Sequence, residues 1–454
     1  MGTSRTAVVP QAYRYALDPT PRQRRALSSH AGASRFACNW ALEHVRQCME
    51  AKAAGEDIQV PWTLFGLRRA WNRAKHQVAP WWAQNSKEAY SSGLDGLARA
   101  LKNWQDSKHG RHAGPRMGFP KRKRKGRATD SCRFTTGTIR VEADRHHVTL
   151  PRLGRVRTHE STRKLARRLE QGTARIMTAT AMRTQGRWFV LFTCEVTRTT
   201  APPRRPWAAS GVDLGIRRLA VLSDGQLIPN PAPLLRARLR LNRLNRQLVR
   251  RRGPRAADGS LCDPSKGWRE TRRRLARQHA RVSNVRHNYL HQLPSELVET
   301  YGTIVIERLN VAGLLKNRRL AGRLADASLG ELRRQLAYKS EWAGTALVEA
   351  DRFFPSSKIC SRCGHVKAKL PLSEREYRCE DCGMVLDRDL NAARNLAALV
   401  ASTTNGVAGS GPGTGNARGW GQGLPFGGMV LDEAGSRHQV RDLGETGGWQ
   451  RPAT

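Results

Sequence analysis

Two Cys-x-x-Cys pairs, Cys360-Ser361-Arg362-Cys363 and Cys379-Glu380-Asp381-Cys382, stand 15 residues apart, and nothing else in the chain restricts its folding as tightly. Two such knuckles place four thiolates within tetrahedral reach of one ion, the donor set of structural Zn2+. Gly364 and Gly383 follow the pairs, where a tight knuckle turn favours a residue without a side chain. The intervening loop is too small for a core of its own, so the metal is expected to organise it. Iron–sulfur motifs use other spacings. Cys360, Cys363, Cys379 and Cys382 are therefore expected to hold a structural zinc, with His365 not needed as a ligand. Cys38, Cys48, Cys132, Cys194 and Cys262 are scattered, mostly on apolar faces, and read as core residues.

The rest of the 454-residue chain is governed by charge. It carries 80 Lys and Arg against 37 Asp and Glu, a formal net charge of +43 and a pI near 11.4. Such a chain needs a polyanionic partner, and nucleic acid is the first candidate. Nine cysteines without a secretory signal argue against a disulfide framework. No run approaches the roughly 18 consecutive apolar residues that span a bilayer, so no membrane partner is expected. The location expected is cytoplasmic, in association with the nucleoid.

The pattern along the chain suggests several parts. Tyr13–Leu17 alternates like a strand, and Thr20-Pro21 then reads as an N-cap followed by a first helical residue. Apolar spacing predicts helices through 21–107, a segment in which Trp62, Trp71, Trp81, Trp82 and Trp104 suit either interhelix packing or stacking on bases. A Gly/Pro-punctuated loop at 108–127 holds Lys121-Arg122-Lys123-Arg124-Lys125, a run suited to phosphate contact. Short strands follow at 139–141, 148–150, 174–183 and 188–196, the last two turning at Gln185-Gly186. Residues 231–290 carry 17 Arg and Lys against three acids, with leucines at helical spacing. This reads as a helical hairpin, cationic on one face, for which nucleic acid is preferred to a membrane surface. Residues 401–454 hold 14 glycines without periodicity and are expected to form a flexible tail.

Three acids form a second constellation. Asp213 lies in the strand-like Gly211-Val212-Asp213-Leu214-Gly215, Glu307 ends the apolar run Thr303–Glu307, and Asp389 heads the helix-like Asp389–Asn395. Each alone suits a structural acid. Gathered at one edge of an α/β sheet they would repel, and divalent cations would relieve the repulsion. Oxygen-only ligands suit Mg2+ or Mn2+. Two such ions activate a water and stabilise the leaving oxygen in phosphodiester hydrolysis.

Asp213-Leu214-Gly215, Ile306-Glu307-Arg308-Leu309, Pro355-Ser356-Ser357 before Cys360, and Asp387-Arg388-Asp389-Leu390-Asn391-Ala392-Ala393-Arg394-Asn395 occur in that order. Together with Tyr13–Pro21 and Asn39-Trp40-Ala41-Leu42, they resemble the motifs of the TnpB family, insertion-sequence-encoded relatives of type V CRISPR effectors. The resemblance covers about residues 10–400. It implies a multidomain α/β fold: an RNase H-like (RuvC) nuclease core with an inserted zinc ribbon, an N-terminal wedge-like β-barrel and a helical recognition domain. The corresponding boundaries are 1–20 and 108–203 for the barrel, 21–107 for the helical domain, 204–354 and 386–400 for the core, and 355–385 for the ribbon. It also implies that Asp213, Glu307 and Asp389 are the catalytic metal ligands, Asp387 being the residue most easily confused with them. The partners implied are a guide RNA from the element's end and a target DNA, with pairing supplying sequence and protein reading a short adjacent motif. The function implied is RNA-guided DNA cleavage. A nuclease-dead RNA-guided regulator and a strand-joining transposase are the alternatives, and the intact acids speak against the first.

Overall fold

The computed structural model describes residues 6–112, 114–253, 263–371 and 373–404. Cys262 and the glycine-rich stretch from residue 405 onward lie outside the described residues. Two compact units divide between Thr199 and Thr200.

The first unit begins with strand β1 (Thr6–Asp18) and helices α1 (Pro21–Ala53), α2 (Leu64–Val78) and α3 (Lys87–Lys108). Strands β2 (Asp130–Phe134), β3 (Arg140–Val141), β4 (His147–Leu150) and β5 (Gly154–Thr158), helix α4 (Arg163–Glu170), and strands β6 (Ala174–Thr184) and β7 (Arg187–Thr199) complete it. Thr20 caps α1: its hydroxyl accepts from Gln23 N, Gln23 Oε1 accepts from Thr20 N, and Pro21 opens the helix. The strands form one antiparallel sheet ordered β2-β6-β7-β1-β5-β4-β3. β1 pairs with β7 from Thr6 to Ala16 and with β5 at Leu17 and Asp18, so it belongs to both halves. Phe134, Val190 and Phe192 from the sheet join Leu42, Leu94 and Leu101 from the helices in one hydrophobic cluster. The tryptophans mostly pack between helices: Trp71 is buried, stacked on Tyr90 and edge-on to Trp40, and Trp62 stacks on Trp104. Cys38, Cys48, Cys132 and Cys194 are buried free thiols.

The second unit contains strands β8 (Arg205–Leu214), β9 (Arg218–Leu222) and β10 (Leu227–Pro229), then the basic helices α5 (Pro233–Arg250) and α6 (Lys266–Thr300). Strand β11 (Tyr301–Glu307), helices α7 (Val311–Leu314), α8 (Ala321–Ala327) and α9 (Leu329–Ala343), and strand β12 (Ala346–Ala350) follow. The cysteine loop contributes a two-stranded hairpin, β13 (Glu376–Arg378) with β14 (Val385–Asp387), before helix α10 (Arg388–Thr404). The main sheet has the order β10-β9-β8-β11-β12. β8, β11 and β12 run parallel, while β9 is antiparallel to β8 and β10 to β9.

Strand alternation gives this sheet two faces. Val212, Leu214, Ile304 and Ile306 join Leu290, Leu297, Leu332 and Leu336 in a cluster with α6 and α9. Gly211, Asp213, Val305 and Glu307 have the opposite parity. There Val305 and Ala350 pack with Leu396 of α10. The basic arms α5 and α6 pack through Ala237, Leu241 and Val282. Among the described residues, no helix is long and apolar enough to cross a membrane.

Candidate functional site

Three elements bring the acids together. In the register that pairs Ile306 with Val212, the next residues, Glu307 and Asp213, stand level on adjacent parallel strands. Adjacent strands lie about 4.8 Å apart, and side chains at the same level point to the same face. That is the face α10 covers: a methyl group on Gly211 would come within 2.0 Å of the Ala393 carbonyl oxygen. Asp389 lies one turn before Ala393, on the same side of α10. The first turn of the helix therefore carries Asp389 to the strand ends where Asp213 and Glu307 stand.

The electrostatics reflect this convergence. The Asp213 carboxyl is held well above its ordinary pKa, by burial first and then by the negative charges of Glu307 and Asp389, with Arg388 pulling the other way. All three acids keep partial solvent access at the mouth of the site. The Ser356 hydroxyl donates to Glu307 Oε1. Asp387 has a different place. Its Oδ1 accepts from Asp389 N (3.0 Å) and Leu390 N (3.2 Å), and its Oδ2 pairs with Arg218 at 2.9 Å. It thus caps α10 from one residue outside the helix.

The cysteine loop sits beside this edge. Cys360, Cys363, Cys379 and Cys382 offer sulfurs that all lie within 4.8 Å of one another. The Cys360–Cys382 and Cys363–Cys379 sulfur separations are 3.6 and 3.5 Å. A tetrahedral zinc with 2.3 Å bonds needs about 3.8 Å between sulfurs, so the set fits that ion. His365 stands outside the group and accepts from Cys360 N through its carbonyl. Among the described residues the three carboxylates are not drawn this tightly. Ser356 bonds Glu307, and Asn391 and Asn395 bond the cysteine loop, contacts that no local pattern in the sequence marks.

A separate feature lies in the first unit. Arg163, Lys164, Arg167, Arg168 and Arg198 line a cavity of about 730 Å3, and among the described residues no acid lines it. Gln11 Oε1 holds Arg198 at 2.9 Å.

The parallel strands of the sheet thus end in clustered carboxylates, next to a four-sulfur loop and within a strongly basic chain. Comparison with known proteins gives the chain its class. A family profile described as "Probable transposase" matches residues 191–318, and "Cas12f1-like, TNB domain" matches residues 330–396. A "Helix-turn-helix domain" profile matches residues 9–52, which fold here as most of β1 and the unbroken helix α1. Three bacterial relatives share the name "Putative RNA-guided DNA endonuclease". One from Mycobacterium tuberculosis is 39% identical over 85% of this chain and 86% of its own length. One from Streptomyces pristinaespiralis is 35% identical over 86% and 89%, and InsQ of Escherichia coli is 28% identical over 86% and 92%. A solved Cas12f1–sgRNA–target DNA complex aligns with 86% of this chain and 99% of its own at 12% identity and a TM-score of 0.43. The chain belongs to the TnpB family.

Proposed function

We propose that this protein is the RNA-guided DNA endonuclease of a transposable element and cuts target DNA by metal-dependent phosphodiester hydrolysis. The observation that carries the reading is the meeting of Asp213, Glu307 and Asp389, from β8, β11 and α10, around one desolvated carboxyl. The sheet order β10-β9-β8-β11-β12, with β9 alone running antiparallel to the other four strands, suits an RNase H-like (RuvC) core. The wedge-like barrel (1–20 and 108–203), helical recognition domain (21–107), core (204–354 and 386–400) and zinc ribbon (355–385) are part of the same proposal.

The all-oxygen donor set fits Mg2+ or Mn2+. When bound, two such ions would activate a water and stabilise the leaving oxygen. Burial, and then the charges of Glu307 and Asp389, raise the Asp213 pKa, and a bound cation would favour its charged form against them. Glu307 enters the site with one oxygen already engaged by Ser356. Asp387 spends its oxygens on the α10 cap and Arg218, so it orients the helix and is not a ligand. The four cysteines hold zinc and do no chemistry, since four sulfurs leave no open position.

The net charge of +43 supports two nucleic-acid partners, a guide RNA from the element's end and a target DNA. The relatives' shared name supports the same division, in which base pairing reads sequence. The test begins with sequencing RNA that co-purifies with the full chain. A matching DNA duplex with Mg2+ should then be cut. Asp213→Ala should abolish cutting and spare RNA binding. A wild-type complex that binds its target and never cuts would make the protein a guided DNA-binding regulator instead.

A further inference from the structure

Ser356 stands where the cysteine loop meets the acids. It is 3% exposed, and its hydroxyl reaches a carboxylate 49 residues away in sequence. A buried serine more commonly turns its hydroxyl to a nearby carbonyl. Here the backbone around it is fastened to α10 instead. Asn395 Nδ2 donates to the carbonyls of Ser356 and Ile359, both at 2.7 Å. Asn391 Nδ2 donates to Ile359 O at 2.6 Å, and its Oδ1 accepts from Ser361 N at 2.9 Å. Ser361 lies inside the first cysteine pair. One connected set of hydrogen bonds thus joins the knuckle, the helix turn behind Asp389, and Glu307.

We propose that Ser356 is a positioning residue for Glu307, and that the four-cysteine loop is the frame that holds Ser356 in place. By donating to Oε1, the hydroxyl fixes the carboxylate's rotamer and leaves the second oxygen for the ion. The two asparagines tie this donor to the same helix that carries Asp389, so the positions of two acids are set by one network. The proposal rests on the assignment of Asp213, Glu307 and Asp389 as divalent-ion ligands.

The test uses the full chain and reads Mn2+ binding from the free-ion electron paramagnetic resonance signal, which is independent of cleavage. Ser356→Ala is expected to weaken Mn2+ binding by roughly 10-fold or more, the usual effect of removing an outer partner of a metal ligand. Its zinc content should stay at the wild-type level. Ser356→Thr, which keeps the hydroxyl, should restore most of the affinity. In a Glu307→Ala background, Ser356→Ala should have no further effect, because the hydroxyl acts through that carboxylate. Wild-type Mn2+ affinity in Ser356→Ala, or an undiminished loss in the Glu307→Ala background, overturns the proposal. If Ser356→Ala releases zinc, Ser356→Thr and Ser356→Val replace it as a pair of one shape differing in the hydroxyl. Equal affinities in that pair overturn the proposal. Glu307→Ala binding Mn2+ as the wild type does overturns the metal assignment itself, and the proposal with it.

Discussion

Gly211 of β8 lies directly beneath Ala393 of α10, so close that a side-chain methyl would meet the Ala393 carbonyl oxygen at 2.0 Å and Ala397 N at 2.6 Å. Asp213 is two residues further along the same strand face, and Asp389 is one turn back along the same helix face. The close helix–sheet approach at Gly211 therefore also helps set how near Asp389 comes to Asp213. Gly211→Ala is expected to push α10 away from the sheet, to cost about 1–3 kcal/mol through overpacking, and to weaken Mn2+ binding. Urea unfolding and an ion titration check this. A wild-type midpoint with wild-type affinity would mean that the helix yields without moving Asp389.

The parts of this site that repeat locally were legible in the sequence, and the parts made by long-range pairing were not. The cysteine pairs encode their own geometry, and Thr20-Pro21-Arg22-Gln23 encodes the start of α1. The acids stood out only as polar ends of apolar runs. Their meeting depends on parallel pairing of β8 with β11, which no local pattern specifies. The strand-like run Gly211–Gly215 stops one residue short in the structure: β8 ends at Leu214 and the chain turns, Gly215 N donating to Leu219 O. β5, Gly-Arg-Val-Arg-Thr, was missed because it has one apolar residue. It forms because Val156 and Thr158 face inward while its arginines stay outside, and because β4 and β1 pair with it. β2 was missed for a similar reason: only Cys132 and Phe134 point to the core.

Asp326 shows how the basic arm is anchored. It is 5% exposed. It accepts from the backbone N–H groups of Leu234 and Leu235 at the start of α5, and from Arg286 Nη2 of α6 at 2.9 Å. Its charge faces the positive end of α5. Asp326→Ala takes the carboxylate away from the partly buried Arg286, whose Nε still donates to the residue 326 carbonyl, and leaves two helix N–H groups unsatisfied. Removal of one member of a buried pair typically costs about 3–5 kcal/mol. Thermal and urea unfolding of the second unit should show a loss of that order, and Asp326→Asn, which still accepts hydrogen bonds, should lose less. Equal unfolding midpoints for Asp326→Ala and the wild type would contradict the anchoring role.

His291 makes folding acid-sensitive. Burial first, then the neighbouring His287 and Lys339, lower its pKa from 6.5 to about 4, while Glu331 opposes them. Between those values the unfolded chain binds a proton that the folded chain refuses. The unfolded state therefore binds more protons there, and stability falls as pH drops from 6.5 towards 4. Below about 4 both states are protonated and this contribution stops changing. His291→Gln removes the titration, so its urea midpoint should fall less than the wild type's between pH 7.5 and pH 5. Parallel losses in the two proteins would rule out His291 as a source of the acid sensitivity.

The cysteine loop should not survive metal loss. Its apolar cluster consists of Cys360, Leu370, Tyr377 and Cys379, with Cys382 and Met384 beside it, so half of the cluster is ligand. Cys379→Ser is expected to lower zinc content and to remove hydrogen-exchange protection from β13 and β14. A strong chelator should do the same to the wild type. Retained zinc and protection in Cys379→Ser would mean that three sulfurs suffice to organise the loop.

The cation-lined cavity of the first unit gives the charge argument a local test. Among the described residues, five basic side chains and no acid line one space of about 730 Å3, so a polyanion entering it would displace counterions. Each phosphate contact contributes about 0.7–0.9 to the slope of log affinity against log salt concentration. Arg163→Ala combined with Arg167→Ala should therefore flatten that slope by roughly 1.4–1.8 for the RNA that co-purifies with the protein, if each arginine neutralises one phosphate. Filter binding across a salt series measures the slope directly. A uniform loss of affinity with an unchanged slope would mean that the two arginines support the fold of α4 and do not touch the backbone.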